Sequence, residues 1–187
     1  MYRSQEEFTM NEPLDNRQKW VLKGYELFAA LGPEALNVEK LSSLVGLNRS
    51  SFYHYFKNIS GFEEALFDYH AEQYQHIGNV IKDYDHFEQL FNDEVFEYRE
   101  ALSFQRQLLI NQSKPRYQQC SEEVRKYTGQ KTFELWSAEN AAGRTEEEQW
   151  QMFRAMRDFY FVHHDQPNGL ENPKEIMMLL NKFVNRN

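Results

Sequence analysis

Between Asn48 and Phe56 the chain reads Asn-Arg-Ser-Ser-Phe-Tyr-His-Tyr-Phe. At the helical period Phe52 and Phe56 fall on one face, which leaves Arg49, Ser50, Ser51, Tyr53 and His54 to face outward. An ordinary amphipathic helix carries Glu and Lys on its wet side, and this one has neither before Lys57. Guanidinium, hydroxyl, phenol and imidazole groups with no carboxylate among them suit contacts to phosphates and base edges. Other chemistry is poorly supplied. Cys120 is the single cysteine, which excludes an internal disulfide and a cysteine-cluster zinc site. His70 and His76, like the adjacent His163 and His164, are spaced so that they do not stack on one helix face, and no metal or other cofactor is expected. The acid pairs Glu63-Glu64 and Glu122-Glu123 read as solvated faces, and Glu146-Glu147-Glu148 as first-turn acids matched to a helix dipole. No glycine-rich phosphate loop occurs. With no catalytic constellation, the chain is not expected to be an enzyme.

Helices must position these groups, because strand signals are nearly absent: no Asn-Gly hairpin separates alternating segments. Asp15 or Asn16 can cap a helix with the apolar stripe Trp20, Val21, Tyr25, Phe28 and Leu31, ending at Gly32. Asn37 can cap a short helix carrying Leu41, Leu44 and Val45, which Gly46 stops. Asn48 can cap a second short helix through Tyr55. Two helices of this length are not stable in isolation, and short helices joined by a turn containing glycine are what a helix-turn-helix uses. Ser60 with Glu63 reads as a capping box opening a longer helix, and Asp85 with Glu88 as another, for a helix holding Phe87, Leu90, Phe91 and Val95. Pro115 suits the first turn of a helix toward Trp136. Thr145 with Glu148 and Asn172-Pro173 with Glu175 open the last two, over roughly Glu146 to His164 and Pro173 to Asn185. The expected fold is all-α, about nine helices.

The formal net charge is -8 over 187 residues, against a non-specific nucleic-acid coat protein. It is unevenly spread: residues 15–61 carry +2, residues 1–14 carry -2 and residues 62–187 carry -8. A mean hydropathy of -0.81, with no apolar run near the ~20 residues that span a bilayer, implies no membrane partner. The polar, acidic stretch Met1 to Leu14 lacks the apolar core of a secretory signal, and a cytoplasmic location is expected.

Leu27-Phe28-Ala29-Ala30-Leu31-Gly32, then Val38, Leu41 and Val45-Gly46-Leu47, then Ser51-Phe52-Tyr53-His54-Tyr55-Phe56, resemble the N-terminal DNA-binding domain of TetR-family transcriptional regulators, without a gap from Leu27 to Phe56. The resemblance covers about sixty residues. It implies a three-helix helix-turn-helix domain over 13–72, followed by a helical ligand-binding and dimerisation bundle over 73–187. It also implies a ligand-responsive repressor bound as a homodimer to a pseudo-palindromic double-stranded DNA operator. DNA contacts would fall on Asn37, Val38, Asn48, Arg49, Ser50, Ser51, Tyr53, His54, Tyr55 and Lys57. One position departs: the family usually has Lys three residues after the closing Phe, and here it is Ile59. That departure and the weak basic charge motivate an alternative, a helical small-molecule-binding or protein-interaction module that has lost operator binding.

The body is rich in large aromatics. Tyr69, Tyr74, Phe87, Phe91, Phe104, Phe133 and Trp136 exceed what a Leu/Ala core needs, and rings with Tyr hydroxyls as handles suit an apolar or aromatic small-molecule effector in a cavity of a few hundred Å³. Trp150, Phe153, Met156, Phe159, Tyr160, Ile176, Leu180 and Phe183 give the final helices more than one apolar face, and a second subunit is the simplest cover for it.

Overall fold

The computed structural model describes residues 14–140 and 143–163. Among these it has eight α-helices, two 3-10 turns and no strand. The helices are α1 (Asn16–Leu31), α2 (Val38–Val45), α3 (Arg49–Phe56), α4 (Ile59–Ile81), α5 (Asp93–Phe96), α6 (Arg99–Ile110), α7 (Pro115–Asn140) and α8 (Glu146–His163). The turn-rich break at 165–171 and the helix expected over Pro173–Asn185, with Ile176, Leu180 and Phe183, lie outside the described residues.

The caps follow short-range chemistry. Asp15 and Gln18 form a reciprocal capping box at α1, and Asn37 accepts from the backbone N–H of Glu39 and Lys40 at α2. Gly46 ends α2 in the left-handed region (φ 73°, ψ 24°), a conformation in which a Cβ is disfavoured. Thr145 and Glu148 cap α8, and Pro115 starts α7.

Two expected starts are corrected. Helix α4 is capped by Asn58, whose Oδ1 accepts from Gly61 N–H at 2.9 Å, so Ser60 lies inside the first turn and Glu63 is recruited elsewhere. The segment after Asp85 is not one helix. Residues Phe87–Phe91 form a 3-10 turn, and Asn92 then recaps the four-residue α5 through Val95 N–H. An Asx side chain that satisfies the next turn's donor competes with helix continuation. Helix α6 escaped the sequence reading altogether.

A ring cluster fixes α3. Phe52 is fully buried against Trp20 at 5.3 Å, Phe56 at 5.2 Å and Phe62 at 5.1 Å between centroids. Gly24 lets α1 lie on α4: a Cβ there would sit 2.2 Å from the Phe62 ring. Behind this head, Tyr25 and Phe28 of α1 stack on Phe104 of α6 at 4.4 and 4.2 Å, and α4 runs along α7. The expected boundary at 72/73 falls within α4, which continues unbroken from head into body.

Candidate nucleic-acid interface

Helix α3 presents the predicted groups unevenly. Ser50, Tyr53, His54 and Tyr55 are exposed, Tyr53 being 52 % accessible. Arg49 is exposed and donates to Glu39 Oε1 of α2 at 2.5 Å, so the guanidinium is engaged across the α2–α3 turn. Asn37 and Asn48 spend their side-chain oxygens on the caps of α2 and α3, and each keeps an amide NH2 as donor. Lys57 is exposed at the C-cap of α3 with φ 64°, the one positive-φ non-glycine among the described residues. Its conformation lets Asn58 N–H reach Phe56 O at 2.7 Å, turning the chain sharply into α4.

Two predicted positions, Ser51 and Val38, face differently, and the departing position 59 faces inward as well. Ser51 is half-buried and accepts from Trp20 Nε1 at 3.4 Å, tying α3 to α1. Val38 is half-buried against the core, and so is Ile59 at the first position of α4. The apolar residue at 59 thus does packing work where a lysine would reach outward. Arg17 was missed: it is exposed, with its guanidinium 5.8 Å from the Phe56 ring centroid, a basic group beside the C-terminal end of α3. A lone Arg just after a helix cap gives little signal in sequence.

Residues 23–66 match the family model described as bacterial regulatory proteins, tetR family. Residues 23–66 are a TetR-family domain. This family is one of DNA-binding transcriptional regulators, and the matched segment runs from α1 through α3 into α4. A search of curated proteins found no match.

The TetR-type head meets the body through two polar junctions. At the first, Arg116 of α7 donates to Ser60 Oγ at 2.8 Å and to Glu63 at 2.6 Å, and the Tyr117 hydroxyl donates to the same buried carboxylate. At the second, the Tyr25 hydroxyl lies 2.7 Å from His70 Nδ1, His70 Nε2 lies 3.1 Å from Gln105 Oε1, and Gln105 donates to Ser121 at 2.7 Å. Arg125 adds a contact to Ser121 at 3.4 Å. Burial pushes the His70 imidazole down to about 3, against a weaker upward pull from Gln105, so the ring is neutral.

That second chain of groups leads from α1 to a cavity of about 130 Å³ between α4, the Phe87–Phe91 turn, α5, α6, α7 and α8. It is smaller than the few hundred Å³ expected. Tyr74, Phe87 and Phe91 line it. The remaining predicted ligand residues sit elsewhere: Phe104 in the stack with Tyr25 and Phe28, Phe133 and Trp136 in a cluster with Trp150 and Phe153, and Tyr69 edge-on to Tyr25. Phe153, Met156 and Tyr160, assigned to a subunit interface, line the cavity instead, because α8 turns that face inward. Trp150 stacks on Phe133 at 3.6 Å, and Phe159 is 39 % exposed. Gln105, Arg125 and Arg157 were missed; the run Ser121, Arg125, Thr128, Gly129 and Thr132 in α7 is the one hint in sequence, a small-residue stripe around a single cation. Among the described residues no three His, Cys, Asp or Glu side chains group as metal ligands, and no helix is long and apolar enough to cross a membrane. Burial pushes the Cys120 thiol up to about 12, so it is no nucleophile at neutral pH.

Proposed function

We propose that this chain is a ligand-responsive transcriptional repressor that binds a pseudo-palindromic DNA operator as a homodimer, with residues 13–72 as the reading unit and 73–187 as the effector and dimerisation unit. The observation that carries it is the outer face of α3: Arg49, Ser50, Tyr53 and His54, free of carboxylates on their own helix, mounted on a rigid four-ring core inside a TetR-family segment. Arg49 and His54 are the base-reading candidates. Tyr53, Tyr55, Lys57 and the caps Asn37 and Asn48 are suited to phosphates.

One head, with a recognition helix of eight residues and a charge of +2 over residues 15–61, holds DNA weakly. Two heads spaced about 34–36 Å apart would enter successive major grooves, and the dimer would form through α8 and the segment that follows it. A charge at Phe159 should then leave the head folded while giving monomers or aggregates that no longer bind DNA; a monomeric wild type at micromolar concentration in sedimentation would argue against the dimer.

Effector release needs only modest coupling, about 1.4 kcal/mol for a tenfold loss of operator affinity, provided the effector prefers the DNA-incompetent conformation. The relay Arg125–Ser121–Gln105–His70–Tyr25 supports such coupling, since it joins the cavity wall to α1, and α4 leads directly from α3 past the cavity. The function is tested by recovering bound fragments from genomic DNA and measuring their affinity against salt. Tight, steeply salt-dependent binding supports the reading. Its absence favours a helical ligand-binding or protein-interaction module without an operator.

A further inference from the structure

The cavity wall is apolar except along one side. Ile77, Ile81, Phe91, Leu102 and Met156 are typical of its lining, while Tyr74 from α4, Arg125 from α7 and Arg157 from α8 supply its charge and hydrogen-bonding capacity. Two other polar side chains of the lining are already bonded within the fold. Gln105 is held between His70 and Ser121, and Thr132 donates to Thr128 O and Gly129 O of its own helix. Among the described residues, by contrast, the Tyr74 hydroxyl and Arg125 Nε are buried without a hydrogen-bond partner, although Tyr74 is only 4 % exposed. Both are donors, and buried donors with no acceptor are rare in folded proteins.

Charge is also unbalanced there. Asp158 accepts from Arg157 at 2.8 Å and lies 3.9 Å from Arg125, so two guanidiniums share one carboxylate, itself 44 % exposed and not part of the lining. Arg125 is pulled down first by burial and then by the neighbouring Arg157, and burial holds the Tyr74 phenol protonated against the pull of both arginines.

Building on the effector reading above, we propose that the cavity takes a small apolar acid: a carboxylate received by Arg125, Arg157 and the Tyr74 hydroxyl, with a single ring or short hydrocarbon chain among Ile77, Ile81, Phe91 and Met156. The acid supplies the missing acceptors and the missing negative charge together, whereas a neutral amide supplies at most one acceptor oxygen. About 130 Å³ is close to the ~150 Å³ void that accommodates benzene, which sets the size of the apolar part.

The test is calorimetric titration of the full chain with acid and amide pairs: benzoate and benzamide, phenylacetate and phenylacetamide, cinnamate and cinnamamide, octanoate and octanamide. At least one acid should bind ten times or more tightly than its amide. Arg157→Met should erase that preference, and Tyr74→Phe should weaken the acid several-fold while leaving the amide unchanged. Arg125→Met should act like Arg157→Met; if it fails to fold, Arg157→Met and Tyr74→Phe decide. Equal binding of acid and amide, binding by neither member of any pair, or an acid preference that survives Arg157→Met overturns the proposal. The same acids are then added to the DNA complex. Binding without DNA release contradicts the effector reading and leaves the ligand assignment intact; Arg49-dependent DNA binding in a chain that prefers no acid contradicts the ligand assignment alone.

Discussion

The outer face of α3 and the inner wall of the cavity both set a few polar groups on aromatic packing, but they are built in opposite ways. The α3 face is one continuous stretch of ten residues, capped by its own Asn48 and closed by its own Lys57. The cavity wall takes one or a few side chains from each of six elements. The first keeps its polar groups exposed, where water satisfies them; the second buries donors that the fold itself leaves unmet. A surface built locally can be rigid before any partner arrives, while a wall built from distant elements responds when one of them moves.

The largest expected effect is in the packing beneath α3. Phe52→Ala should cost about 3–5 kcal/mol, since the ring is fully enclosed and the three surrounding rings cannot collapse onto the space. Phe91→Ala, at a half-buried ring that already borders a void, should cost clearly less. Chemical denaturation of both variants checks the contrast; equal losses would mean the head is no better packed than the cavity wall.

The next effect belongs to the relay. His70 is neutral in the fold, with its pKa lowered to about 3, while the unfolded chain titrates near ~6.5. Below that value the unfolded state binds a proton that the folded state refuses, so stability falls from about pH 6.5 down toward pH 3 and is unaffected by this group above it. Between pH 7 and pH 5 the loss should be about 2 kcal/mol. His70→Asn should flatten that part of the profile, as read by denaturation at the two pH values.

The smallest concerns the Glu39–Arg49 pair. An exposed ion pair of this kind contributes under ~1 kcal/mol, so Glu39→Gln should leave stability nearly unchanged. It frees Arg49 and removes a negative charge next to the DNA, and operator affinity should rise a few-fold at low salt. A fall in affinity would mean that Glu39 positions Arg49 for contact instead of competing for it.

The same difference in construction explains what was legible. The α3 face could be read because its determinants sit within a few residues: Asn48 for the start, Phe52 and Phe56 for the inner face, Gly46 for the preceding turn. Where the structure turns an expected contact inward, at Ser51 and Val38, the cause is a partner on another helix or the core itself, Trp20 in the case of Ser51. The caps at Asp15, Asn37 and Thr145 were equally local. The cavity wall was hidden because its aromatic residues look alike in sequence: nothing local separates Phe91, which lines it, from Phe104, which is stacked between Tyr25 and Phe28. Helix α6 went unseen because it has no side-chain cap, and its stability comes from contacts with α1, α7 and α8.

The central claim is that the outer face of α3 reads DNA. It is tested most directly by equilibrium binding to fragments recovered from genomic DNA, measured across a salt series for the wild type, Arg49→Ala and His54→Ala. The account predicts that affinity falls steeply with salt in the wild type, and that each variant loses about 1–3 kcal/mol on the recovered fragments with its thermal unfolding unchanged. Wild-type affinity in both folded variants would contradict it.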